Sequence, residues 1–183
     1  MKLKNAILFI GLFLLTSSFK IGYDWAQAWV DDTIISKADL PKSVLRQIKQ
    51  PALTLVLMTK KHLISTPLNG NTYLQCYLIN NTDTTSIIER SDATITGFST
   101  EILKDNIWQH FQHPIGSGCG NSNWTQNLER KKTLSIKVDH AENGPIKVPF
   151  RIKYNHNHRV IYSNEITVDI DQKNYDRVGK QSK

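Results

Sequence analysis

The chain has little of what usually announces chemistry. Its 183 residues include only two cysteines, Cys76 and Cys119, and their wide separation excludes a Cys-x-x-Cys redox pair. No apolar run approaches the roughly 20 residues that an ordinary membrane helix needs. Repeats, low-complexity tracts and coiled-coil heptads are absent. Acidic residues are outnumbered, 16 against 23 basic, for a formal charge of +7. That modest excess is no nucleic-acid signature by itself. The alternating Gly116, Gly118 and Gly120 could form an anion nest, but "GSGCGNSNW" lacks the lysine and following serine or threonine of a phosphate loop. No cofactor is expected.

What is present begins with Lys2 and Lys4, the apolar run "AILFIGLFLL" at Ala6 to Leu15, and Thr16, Ser17 and Ser18. This three-part layout predicts a secretory signal peptide over 1–18. An apolar run of ten residues is too short to cross about 30 Å of hydrocarbon. The expected product is therefore exported (periplasmic, cell-surface or secreted), with no stable transmembrane span and no nucleic-acid partner. Removing the leader leaves 165 residues and lowers the charge from +7 to +5, enough chain for one domain with a sizeable core.

Residues 19–51 are predicted to form an N-terminal extension that packs on the domain. Trp25 and Trp29 occur there at mixed spacing, Asp31 and Asp32 interrupt it, and Val44, Leu45 and Ile48 predict a short helix ending before Pro51. From Leu53 onward the period changes to two. Strands are expected from Leu53, over "YLQCYLIN" at Tyr73 to Asn80, over Thr85 to Arg90, and over Ala93 to Leu103.

The C-terminal part is clearer still. Leu134, Ile136 and Val138 alternate with polar residues, as do Val148, Phe150, Ile152 and Tyr154. Val160, Tyr162, Ile166, Val168 and Ile170 share one parity and predict one further half-buried strand. The predicted fold is all-β, a two-sheet antiparallel sandwich over 52–172 with a short N-terminal helical extension; a small barrel is the alternative. Residues 173–183 are predicted to be a flexible tail.

In an oxidising compartment Cys76 and Cys119 are expected to form a disulfide, closing a loop of about 44 residues with an entropic gain of roughly 4 kcal/mol. The rival reading makes Cys119 a nucleophile with His110 or His113 as base, but no orienting group is in evidence. His156 and His158 in "NHNH" form a minimal metal-binding pair, although two histidines make an incomplete site and a polar hairpin turn explains them as well. Arg151, Lys153 and Arg159 are predicted to line one side of the last hairpin as a ligand-binding set, with Trp124 as a further candidate. Glu89, Asp92 and Glu101 are the carboxylates available for acid/base work. "NNT" at Asn80 and "NWT" at Asn123 match the glycan-acceptor pattern.

"GCGNSNW", "LSIKV", "VPFRIKY" and "RVIYSNEITVDI" together resemble uncharacterised exported immunoglobulin-like β-sandwich proteins of the Bacteroidetes type, over roughly residues 73 to 171. The resemblance implies architecture and no catalytic residues. The expected function is that of a non-enzymatic binding or envelope-associated module with a protein or glycan partner. The alternative is a secreted hydrolase with a carboxylate/histidine site.

Overall fold

The computed structural model describes residues 25–26, 28–59, 63–65, 72–114, 122–138 and 144–180. The expected leader, Cys119, the glycines Gly116, Gly118 and Gly120, and residues 66–71 lie outside them. The described chain is mostly strand with a minor helical component. In order it runs β1 (Trp25–Ala26), β2 (Ala28–Ser36), a 3-10 turn at Lys37–Asp39, α1 (Lys42–Leu45), β3 (Leu53–Leu57), β4 (Leu63–Ser65), β5 (Thr72–Asn80), β6 (Ser86–Ser91) and β7 (Thr94–Ile95). Then follow β8 (Phe98–Lys104), β9 (Ile107–Pro114), β10 (Asn123–Leu128), β11 (Lys132–Val138), β12 (Ile146–His156), β13 (Arg159–Tyr162), β14 (Ile166–Ile170) and α2 (Gln172–Arg177).

Eight strands join in the order β10-β6-β7-β2-β11-β5-β3, with β4 also on β5; six join as β1-β9-β8-β12-β13, with β14 also on β12. All the pairings are antiparallel except β1 with β9. One core draws on both sheets, among them Leu57, Leu74, Cys76, Leu134 and Ile136 from the first and Phe98, Ile102, Phe150, Ile152 and Val168 from the second. A smaller cluster forms where Leu40 and Val44 cover Val56, Met58 and Ile79. The predicted short helix is therefore present, and its apolar side is buried.

Four sequence expectations need correction. Ala28–Ser36, predicted to belong to an extension, is a strand between β7 and β11. Leu134 pairs with Ile34 but Ile136 with Val30, so four steps along β2 match two along β11. The surplus falls at Asp31 to Thr33, and this bulge breaks the alternation that would have marked a strand. The expected continuous strand from Ala93 is split at Thr96 and Gly97. Gly97 has a φ of 77°, and a Cβ there would stand 2.6 Å from the Asn155 carbonyl oxygen, so only glycine fits.

The third correction concerns the tail. Gln172–Arg177 is helical, capped where Asp171 Oδ1 accepts from the Asn174 N–H at 2.7 Å. Lys104 Nζ donates to the carbonyls of Tyr175 and Val178 at 2.8 and 3.0 Å, and Val178 is buried in the core. A helix this short leaves no readable period.

The strand expected through Val160 and Ile170 is interrupted as well. Lys153 pairs with Tyr162 and Phe150 with Ile166, so three steps on β12 face four on the partner segment. Side-chain parity switches across this bulge: Ile166, Val168 and Ile170 are buried, while Val160 and Tyr162 are exposed. The bulge residues are bonded individually. Ser163 N–H donates to Ile152 O at 3.0 Å, and its Oγ accepts from Ile152 N–H at 2.9 Å. Asn164 reaches across to the edge of the other sheet. Its Oδ1 accepts from Leu57 N–H at 2.7 Å and its Nδ2 donates to Leu57 O at 2.9 Å. The amide thus takes the place of a neighbouring strand at a buried edge position. Asn164→Ala is expected to cost about 2 kcal/mol, by stranding two backbone groups, read as a lower urea midpoint with unchanged m-value. An unchanged midpoint would show that water replaces the amide without loss.

Candidate functional site

Alternation along β12 turns Val148, Phe150, Ile152 and Tyr154 inward, leaving Lys147, Arg151 and Lys153 on the opposite side. The register then selects neighbours. Arg151 stands opposite Glu101 on β8, Lys153 lies between Ser99 and Tyr162, and Trp108 on β9 is opposite Leu103. Arg151 Nε donates to Glu101 Oε2 at 2.8 Å, and Nη2 lies 2.7 Å from the same oxygen. Lys153 Nζ is 3.8 Å from Oε1. The guanidinium also lies 4.0 Å from the Trp108 ring centroid and 4.1 Å from that of Tyr162. A nearly buried carboxylate, 8% exposed, thus orients an arginine flanked by two aromatic rings.

Arg151 and Lys153 are therefore brought together as expected, but Arg159 is not with them. It pairs with His156, and its parity matches Tyr154 and Ile161 rather than Lys153 and Tyr162. Trp124 is on the other sheet. It is 47% exposed, its ring covers Arg90, and its Nε1 donates to Asp92 O at 3.0 Å. Arg90 itself is buried, bonded through Nε to Thr94 O and through Nη1 to Gln126 Oε1. Trp124 serves there as the lid of a structural arginine.

No family model, curated protein or solved structure matches this chain. Function has to be argued from the side chains alone.

The histidine pair is divided by its surroundings. His156 is half-buried; its ring stacks on Tyr154, with centroids 5.4 Å apart. Tyr154 Oη is 3.2 Å from His156 Nδ1, and Asn157 Nδ2 is 3.2 Å from Nε2. An amide donor at Nε2 makes that nitrogen the acceptor and places the ring proton on Nδ1. His158 occupies the exposed two-residue turn, where it and Asn157 have φ of 61° and 46°, the geometry of a type I′ hairpin. Among the described residues no group of three His, Cys, Asp or Glu gathers as a metal set.

Burial lowers the His156 pKa, opposed by the charge of Glu89. The folded state therefore holds its proton less firmly than the unfolded chain, where histidine titrates near about 6.5. Stability from this group is present above that value and declines as the pH falls toward the lower folded pKa. His156→Gln should flatten the stability profile between about pH 7 and 5, measured by urea denaturation at each pH. A profile as steep as that of the wild type would assign the slope to other groups.

The remaining candidates separate likewise. Glu101 faces His110 in register, but on an open sheet face with its carboxylate held by two cations. Asp92 is in the β6–β7 turn with φ 49°. Asn80 is fully buried, its amide donating to Thr84 O and Leu128 O at 2.7 and 2.8 Å, so the folded chain cannot present it to a glycan-transferring enzyme. Asn123 is exposed.

Cys76 is buried in the core with no disulfide to a described residue, and burial raises the pKa of its thiol form far above the ordinary value. Cys119 and the expected bond lie outside the described residues. Cys76 should resist alkylation in the native protein and react once unfolded, as located by peptide mass spectrometry. Failure to react after unfolding without reductant would instead reveal that Cys76 is disulfide-bonded.

Sequence reasoning found Arg151 and Lys153 but missed Trp108 and Tyr162 as their partners. The alternation of Trp108 with Phe111 hinted at an outward ring, whereas the residue order predicts Tyr162 on the buried parity of Ile166 and the bulge turns it outward. Only strand register brings them to the same arginine.

Proposed function

We propose that this chain is a non-enzymatic binding module that works after export, in the envelope or outside the cell, on an immunoglobulin-like two-sheet frame of the kind its C-terminal motifs resemble. The contact surface is the outer face of β8, β9, β12 and β13. One observation carries this reading: the Trp108–Arg151–Tyr162 stack, locked by Glu101. Tryptophan, tyrosine and arginine are the residue types that dominate binding energy in protein interfaces. An arginine already held between two rings and a carboxylate loses little rotamer freedom when a partner closes over it.

The partner favoured is a protein rather than a glycan. A sugar platform presents an open ring face, whereas Trp108 and Tyr162 each give one face to the same guanidinium. Exposed Val160 continues the surface beside Tyr162, as an apolar contribution to an interface.

A benzophenone amino acid at Val160 tests this in exporting cells. Illumination is expected to yield a discrete protein adduct in the envelope or extracellular fraction. The adduct should be lost in Tyr162→Ala and absent when the cross-linker is placed at Trp124. Equal adducts from both positions, or indifference to Tyr162→Ala, would overturn the assignment. No helix among the described residues is long and apolar enough to cross a membrane.

A further inference from the structure

On the opposite side of the β12–β13 hairpin from the aromatic stack, a groove of about 490 Å³ opens between the start of β3 and the hairpin end. Its volume falls within the range of small-molecule sites, about 300–1,000 Å³. Ala52, Leu53 and Ile161 supply apolar walls, and Thr82, Ser86, His156 and Arg159 supply polar ones, while strand parity turns the Val160 side chain to the Tyr162 side. Strands of both sheets contribute, together with the bends at Pro51–Ala52 and Thr82 and the hairpin turn at Asn157.

The charge on these walls is one-sided. Arg159 is exposed, and its side chain forms no hydrogen bond or ion pair with any described residue. The hydroxyl of Ser86 is likewise uncommitted among the described residues. His156 is occupied by Tyr154 and Asn157, and burial favours its neutral form. Glu89, whose charge reaches His156, is not among the residues lining the groove. A cation without a counter-ion therefore stands at the rim of an apolar trough.

We propose that this groove is a binding site for a small amphipathic organic anion, its carboxylate held by Arg159 and Ser86 and its aliphatic body laid along Leu53 and Ile161. Arg159 provides two parallel N–H donors for a carboxylate. Removing an aliphatic chain from water supplies affinity that grows with each methylene. The site is independent of the aromatic stack, and either assignment can fail without the other.

The test uses the soluble exported chain and decanoate, followed by calorimetry and amide chemical shifts. Saturable binding is expected, with shifts centred on Leu53, Ser86 and Arg159 to Ile161. Arg159→Gln, a change at an exposed side chain, should weaken decanoate binding at least tenfold without moving the thermal midpoint. Decanol should bind the wild type at least tenfold more weakly than decanoate. Shortening the acid should weaken it by up to about fourfold per methylene, and inorganic phosphate should not compete at equal concentration. Tyr162→Ala should leave decanoate binding intact. Equal binding of decanol, full affinity in Arg159→Gln, competition by phosphate alone, or shifts centred on Trp108 and Tyr162 would each overturn the proposal. Absence of saturable binding would do the same.

Discussion

Replacing Phe150 by alanine should remove about 3–5 kcal/mol of stability, the usual range for deleting a buried aromatic ring. The side chain is fully buried, and its ring meets Phe111 edge-on with centroids 6.5 Å apart. Its backbone stands between two partners, opposite Ile102 on β8 and Ile166 on β14. Strands bonded on both sides cannot slide inward to fill the vacancy, so the cavity persists and its cost adds to the lost burial. The loss would consume a large part of the 5–15 kcal/mol that usually holds a domain folded. Urea unfolding should show a much lower midpoint with a similar m-value. Phe150→Leu, which retains most of the volume, should cost under about 2 kcal/mol. A loss for the alanine variant no larger than that for leucine would mean that the two sheets do not close tightly around this ring.

The second large effect concerns the outer face. Arg151→Met should cost about 3 kcal/mol, since it takes the bidentate partner from a nearly buried Glu101 carboxylate and leaves Lys153 at 3.8 Å. Glu101→Met should cost less, about 1 kcal/mol, because Arg151 retains both aromatic rings and some access to water. The double variant should be more stable than Arg151→Met alone, since no charge is then stranded. Four urea titrations complete the cycle. If the two losses simply add, Glu101 is not held by Arg151, and the pre-organised arginine behind the proposed interface is not supported.

The same arrangement separates affinity from stability. Tyr162 is half-exposed and follows an exposed hairpin, so Tyr162→Ala should disturb the fold much less than Arg151→Met while removing one side of the stack. That is why the cross-linking comparison rests on Tyr162. The groove has an analogous probe in Arg159, whose exposed side chain bonds to no described residue.

Much of the fold was readable wherever alternation ran without interruption. β14 and most of β12 alternate cleanly because each buries one face, and a period of two survives in the residue order; β5 and β11 were readable as strands although both of their faces are largely buried. The short helix at Val44 was readable from its apolar spacing and the following Pro51. Legibility failed at irregularities. Asp31 to Thr33 bulges out of β2, Thr96 and Gly97 separate two strands, and Ser163 to Glu165 reverses which side chains point inward. The two bulges insert residues that pairing tolerates but periodicity does not, and at Thr96 and Gly97 the chain passes from one sheet to the other.

By itself the sequence determined that the chain is mostly β, that Phe150 and Ile152 face a core, and that Arg151 and Lys153 share the other side of their strand. These are local consequences of alternating apolar and polar residues. Only the tertiary structure decided that Arg159 belongs with the groove, that Trp124 covers Arg90, and that Trp108 and Tyr162 meet at Arg151. Those contacts join residues tens of positions apart, and strand register sets them; a shift of one residue would turn every side chain of a strand to its other face.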